Sequence, residues 1–194
     1  MSLRAFYSDF FTTLWLAWAV TWLIFSLNVK ATVRRQATVP RLLNTALMIC
    51  AAAPLAAPSV PVPGLMRRFL PESEAALWAG IGAVLTLAGL LFMVWARVYL
   101  GRNWSGVAAL KADHELITGG PYKLVRHPIY SGLALALLGT ALAVGQWRGA
   151  LSVALMLCAI WHRIIVEERF MREQFGAAYD VYARRVRALI PCLI

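Results

Sequence analysis

Charge is scarce in this chain: 14% of its 194 residues are charged, against roughly 25% in an ordinary soluble domain. Acidic residues are scarcer still, with nine Asp and Glu beside nineteen Lys and Arg, while 61% of the chain is hydrophobic. An ordinary water-facing surface cannot be built from that composition. The three cysteines, Cys50, Cys158 and Cys192, fall in no paired or CxxC spacing, which argues against a disulfide framework and a zinc site. Cys192 is also one position short of the register for prenylation. His114, His127 and His162 lack metal-ligand spacing, so no metal is implied. No GxGxxG follows a strand, so a Rossmann domain is not indicated. Thirteen Gly and nine Pro are scattered without a repeat, unlike a collagen-like or disordered chain.

What is present is arranged in islands. Residues 10–29, 42–66 and 75–96 contain no charged residue, and 127–147 contains none beyond His127. Each is long enough to cross a hydrocarbon core, which takes about 20 residues at 1.5 Å rise. A fifth apolar run, 149–162, follows a turn at Gln146-Trp147-Arg148-Gly149. The fourth and fifth runs therefore read as a tight helical hairpin whose second helix continues past Arg163 into the cytoplasmic interface. The expected fold is all-α: a polytopic integral membrane protein with about five transmembrane helices, the last two forming a hairpin, and a C-terminal helix. Pro54, Pro58, Pro61 and Pro63 are expected to bend or end the second span. The first run is too long for a cleavable signal peptide.

The basic residues set an expected orientation. Lys30, Arg34, Arg35 and Arg41 lie between spans one and two, whereas Arg67 and Arg68 in the next loop are balanced by Glu72 and Glu74. The positive-inside rule places the first loop in the cytoplasm, with the N-terminus outside and the C-terminus inside, which in a bacterium would be the inner or plasma membrane. The surplus of ten positive charges thus reads as topology and attraction to an anionic leaflet, not as a nucleic-acid footprint. Eight Trp and six Tyr near span ends read as an interfacial belt. Lipid-facing and partner-facing helix surfaces are equally apolar, which leaves oligomeric state open.

Two polar stretches interrupt this pattern. Residues 111–132 read KADHELITGGPYKLVRHPIYSG, with a turn signal at Gly119-Gly120-Pro121 and Pro128 suited to the first turn of a new helix. The N–H groups of that helix start, His127 at its mouth, suit an anionic group; a juxtamembrane loop anchoring lipid headgroups fits the same residues. Further on, the fifth run passes without a break into Trp161-His162-Arg163-Ile164-Ile165-Val166-Glu167-Glu168. Arg163 and Glu167 share one helical face. An exposed pair contributes only a few tenths of a kcal/mol, whereas charges this close to a bilayer usually face a partner or cavity. A polar cavity bounded by His127 and the turn from Arg163 to Glu168 is the sharper expectation.

Gly120-Pro121-Tyr122, Arg126-His127-Pro128, Tyr130 and Gly132, then Glu167-Glu168, Phe175-Gly176, Tyr179, Tyr182 and Pro191, together resemble the isoprenylcysteine carboxyl methyltransferase family and its bacterial and archaeal relatives. The resemblance covers about the last 80 residues. It implies an integral-membrane methyltransferase that uses S-adenosyl-L-methionine, with a three-span region 1–100 and a catalytic region 101–194 that includes a cytoplasmic cofactor-binding loop. It also implies that His114, Glu115, Leu116, Ile117, Tyr122, His127, Pro128, Ile129, Tyr130 and Glu167 bind the cofactor and that Arg163 is the catalytic residue contacting the acceptor. The implied partners are the bilayer and a lipophilic or prenylated acceptor.

Methyl transfer from a sulfonium needs alignment and exclusion of water more than it needs a metal. A carboxylate acceptor requires no base, and a guanidinium suits it; an amine acceptor would require one, with Glu168 or His127 as candidates. Membrane sterol reductases share an RHPxY string, so a nicotinamide-dependent reductase stands as an alternative, beside a non-enzymatic transport or assembly protein.

Overall fold

The structure is a computed structural model describing residues 3–30, 32–35, 38–56, 62–105, 109–111 and 115–191. It contains helices α1 (Leu3–Ser26), α2 (Thr38–Ala56), α3 (Ala75–Leu100), α4 (Pro128–Val144), α5 (Trp147–Phe175) and α6 (Ala177–Arg185). Helices at Asp9–Ser26, Glu72–Asn103 and Trp147–Phe175 are long and apolar enough to cross a membrane, and Arg41–Leu55 and Pro128–Val144 are shorter apolar helices. The five apolar runs of the sequence thus become α1 to α5, in an all-α membrane fold.

The described part of α2 ends at Ala56 with Pro54 inside it, where a missing N–H and a bulky ring weaken the hydrogen-bond ladder; Pro58 and Pro61 lie outside the described residues. One boundary differs. The hairpin turn lies at Gly145-Gln146, one step earlier than expected. Gly145, at φ 63°, caps α4, as glycine does where a left-handed residue is required. Gly149 belongs inside α5, because a Cβ there would sit 3.0 Å from the Ala141 backbone.

The same small-residue logic holds α3 against α4. Gly82, Thr86 and Gly89 face Gly139, Ala136 and Gly132 in antiparallel register, each glycine meeting the backbone of the opposite helix. Between the glycine pairs, Thr86 Oγ1 donates to the Ala136 carbonyl at 3.1 Å. Without a hydrophobic driving force between helices in lipid, close backbone approach and such hydrogen bonds supply the cohesion. Across the bundle, α2 packs on α5 through Ala51, Met156, Ile160 and Ile164.

A short ribbon, β1 (Thr32–Arg35) paired antiparallel with β2 (Ala109–Lys111), joins the loop after α1 to the loop after α3. At the same end Arg97 is buried, its guanidinium bonded to the Gly101 and Phe25 carbonyls and lying 4.7 Å over the Trp104 ring. Below α4, residues 186–189 run alongside 125–127: Arg126 N–H donates to the Arg187 carbonyl at 2.7 Å and His127 N–H to Ala188 at 3.0 Å. These contacts position the loop that forms the site.

Candidate functional site

The sequence Gly-Gly-Pro-Tyr folds into a short 3₁₀ turn, Gly120–Lys123. Gly120 has φ 55° and lies so close to the Tyr99 ring that a Cβ would meet it at 2.5 Å. The turn leads into α4, with His127 at its N-cap and Pro128 at its first position. At the helix start the His127 N–H is taken by Ala188, and the Tyr130 and Ser131 N–H groups donate to the His127 carbonyl at 3.0 Å each, so the expected anion site narrows to the Ile129 N–H. Pro128 has no N–H to offer.

Beside it, side chains face a cavity of about 430 Å³, a size typical of small-molecule sites. At its charged end Glu167 Oε1 accepts from Tyr130 OH at 2.6 Å and from Arg163 Nε at 2.9 Å. His127 Nδ1 lies 3.8 Å from Glu167 Oε2. The Arg163 and Glu167 side chains are 13% and 22% exposed, so this i,i+4 pair lines a cavity wall and is not a solvated surface pair.

Glu168 points elsewhere. Its Oε1 accepts from Arg126 Nε at 2.9 Å and lies 3.4 Å from His127 Nε2, while Oε2 accepts from Arg172 at 3.1 Å. Arg126 also donates to the Ala183 and Val186 carbonyls, so it closes the end of α6 as well as pairing with α5. A carboxylate bound on both oxygens by guanidinium groups is a poor proton acceptor, and Glu168 reads as the anchor of this corner. Tyr182 OH donates to the Tyr122 carbonyl at 2.7 Å. Burial pushes the Tyr182 phenol up to about 12, and burial likewise raises Tyr122, so both stay protonated at neutral pH. Tyr182→Phe removes that donor and leaves a buried carbonyl short of a partner. It is expected to cost about 1–2 kcal/mol, seen as a fall in melting temperature of roughly 2–8 °C in detergent.

Of the residues singled out in the sequence, Glu115, Leu116, Ile117, Tyr122, His127, Pro128, Ile129, Tyr130, Arg163 and Glu167 all line this cavity. His114 lies outside the described residues. Glu115 sits at the rim, its side chain 70% exposed and 3.9 Å from Lys30 Nζ. The sequence reading missed the opposite wall: Trp18 and Trp22 of α1, Met48 of α2, Met93 of α3, and Asn103 and Trp104 after it. Only the position of the aromatic residues, four apart on α1, carried a signal for them.

A family model described as phospholipid methyltransferase matches residues 77–178. This chain belongs to that family. Similar proteins include a probable protein-S-isoprenylcysteine O-methyltransferase of Oryza sativa subsp. indica, 33% identical over 57% of this chain and 60% of its own length. Another is the protein-S-isoprenylcysteine O-methyltransferase of Schizosaccharomyces pombe, 36% identical over 50% of this chain and 43% of its own. The chain therefore spans about half the length of the curated relatives it matches. The fold is similar to that of a eukaryotic intramembrane Ras methyltransferase, isoprenylcysteine carboxyl methyltransferase. That similarity has a TM-score of 0.55 and 24% identity, over 81% of this chain and 54% of that one. These matches support the resemblance read in the sequence.

Proposed function

We propose that the chain is an integral-membrane methyltransferase that uses S-adenosyl-L-methionine and methylates a lipophilic carboxylate, a reading supported by the isoprenylcysteine O-methyltransferase names of its relatives. The observation that carries this reading is a single cavity bounded at one end by Arg163, Glu167 and His127 and at the other by apolar side chains of α1 to α4. The side chains fit the cofactor: Glu167 is a partly open carboxylate suited to an ammonium group, and Leu116, Ile117, Tyr122 and Ile129 offer an apolar and aromatic wall for a flat base. When bound, the cofactor supplies an electrophilic methyl group on a sulfonium.

The chain's own residues supply alignment. Tyr130 and Arg163 hold Glu167 in one orientation, and His127 stacks beside Tyr130 with centroids 5.8 Å apart. A guanidinium such as that of Arg163 suits the fork of an acceptor carboxylate. Glu168, engaged by Arg126 and Arg172, is not placed to deprotonate an amine, which leaves His127 as the base candidate for an amine acceptor. Trp22, Met93 and Leu133 exclude water around the reacting groups. The N-terminus lies outside and the C-terminus in the cytoplasm, so the charged end opens to the compartment that holds the cofactor, and region 101–194 carries the chemistry.

Calorimetry on detergent-solubilised protein tests this reading. S-adenosylhomocysteine is expected to bind, with affinity reduced about 10–100-fold in Glu167→Gln through loss of a charge-assisted hydrogen bond and reduced also in His127→Ala. Folded wild-type protein that shows no heat of binding at millimolar ligand would refute it.

A further inference from the structure

Glu168 is not among the residues that line the cavity, but two that do, Arg126 and His127, stand against it. Its side chain is 9% exposed. Oε1 accepts from Arg126 Nε at 2.9 Å and lies 3.4 Å from His127 Nε2, while Arg172 binds Oε2 at 3.1 Å. A carboxylate bound by two guanidinium groups has acceptors to offer and no donor. The ring nitrogen of His127 that faces it must therefore carry the proton.

The ring has little freedom to turn away. The His127 N–H donates to Ala188 and its carbonyl accepts from Tyr130 and Ser131, and the ring stacks on Tyr130 at an interplanar angle of 20°. With the proton on Nε2, a neutral imidazole presents Nδ1 as a bare acceptor. Nδ1 lies 3.8 Å from Glu167 Oε2, beyond hydrogen-bond reach. Tyr130 OH and Arg163 Nε both donate to the other oxygen of Glu167, Oε1, and among the described residues Oε2 receives no hydrogen bond. Two acceptors this close, one of them charged, call for a cationic donor with more than one hydrogen between them. An ammonium group is such a donor.

We infer that Glu168 is a positioning residue: it holds the His127 proton on Nε2, so that Nδ1 and Glu167 Oε2 form one acceptor pair for the ammonium group of the cofactor. The inference rests on the methyltransferase reading and extends its cofactor site from Glu167 to His127 and the glutamate behind it. It also commits both ring nitrogens of His127, one to Glu168 and one to the cofactor, which leaves neither to take a proton from an amine acceptor.

Nitrogen chemical shifts of isotope-labelled histidine in the ligand-free protein, taken above the usual histidine titration range, read the tautomer directly. The His127 signals are expected to show Nε2 protonated and Nδ1 bare. Calorimetry then compares S-adenosylhomocysteine with its analogue in which hydrogen replaces the α-amino group. Wild-type protein is expected to prefer the amino ligand by about 10-fold or more, the effect of a charge-assisted hydrogen bond. Glu168→Gln keeps an acceptor for the Nε2 proton and should keep both the tautomer and the preference. Glu168→Leu should lose both, while its affinity for the deamino analogue stays within a few-fold of wild type; a role in packing alone would weaken the two ligands equally. A wild-type ring protonated on Nδ1 or on both nitrogens, no preference for the amino ligand in wild type, equal loss of that preference in both variants, or its survival in Glu168→Leu would overturn the inference. The first two outcomes are read on wild-type protein, so they stand even where a variant fails to fold. Failure of the methyltransferase reading appears separately, as no binding of S-adenosylhomocysteine in the preceding titration, whereas the tautomer is read without any ligand.

Discussion

Arg163→Ala is expected to lower the rate of methyl transfer at least ~10²-fold, a loss typical of a misaligned reacting group, while leaving S-adenosylhomocysteine affinity within a few-fold of wild type. The separation follows from how Glu167 is held. Its Oε1 accepts from both Tyr130 and Arg163, so removing the guanidinium leaves the phenol to orient the carboxylate. The acceptor has no such substitute. Among the described cations lining the cavity, Arg126 is committed to Glu168 and to the carbonyls of Ala183 and Val186, and cannot swing to hold a second carboxylate without opening that corner. Labelled-methyl incorporation into total lipid extract, measured beside calorimetry on the same preparation, gives both numbers. Loss of both together would show that Arg163 holds the cofactor side of the site. Unchanged turnover would remove it from the acceptor's binding altogether.

The charged end of the site was legible in the sequence because charge is rare in this chain and periodicity does the rest. Arg163 and Glu167 are four positions apart, which places them on one helical face, and Pro128 marks the start of α4. The helical hairpin was legible as well, although its turn fell earlier, at Gly145, because Gly149 serves close packing inside α5 and not the turn. Arg126 could be seen as part of the Arg126-His127-Pro128 string, but its role depends on Glu168 and on the end of α6, 57 to 60 residues away, and no local pattern encodes that. Trp18, Met48 and Met93 were illegible for a different reason. In a membrane helix the lipid face and the cavity face are built from the same apolar residues, so only the packing of α1 to α4 reveals which side chains turn inward. The ribbon of β1 and β2 escaped notice because strands of four and three residues carry too little alternation to read.

Packing also makes the sharpest prediction about the fold. Gly132→Leu is expected to destabilise the protein by about 4 kcal/mol or more, at the upper end for overpacking, and so to lower the melting temperature in detergent by roughly 8–16 °C. A Cβ at Gly132 would lie 2.6 Å from the Gly89 carbonyl oxygen and 3.0 Å from the Met93 amide nitrogen. Both are backbone atoms of α3, which cannot rotate aside as a side chain can. Gly89 meets α4 in return, its own Cβ position lying 2.5 Å from the Gly132 carbonyl oxygen, so the helices must part along their length. Gly80→Ala supplies the control: that glycine lies on the same α3 with nothing within 4 Å of its Cβ position, and the change should be neutral or stabilising by up to about 1 kcal/mol through helix propensity. A leucine at 132 also presses on Met93 Cγ, 2.6 Å from the Cβ position, and Met93 lines the cavity. Whatever folded protein survives should therefore bind S-adenosylhomocysteine or acceptor less well. Gly139→Leu clashes at the other end of the same interface, with the Gly82 carbonyl oxygen at 2.5 Å and Thr86. It should cost similar stability and spare binding in the folded fraction. Equal loss of binding in the two variants would mean that the α3 and α4 interface sets the cavity as one rigid unit and not through Met93.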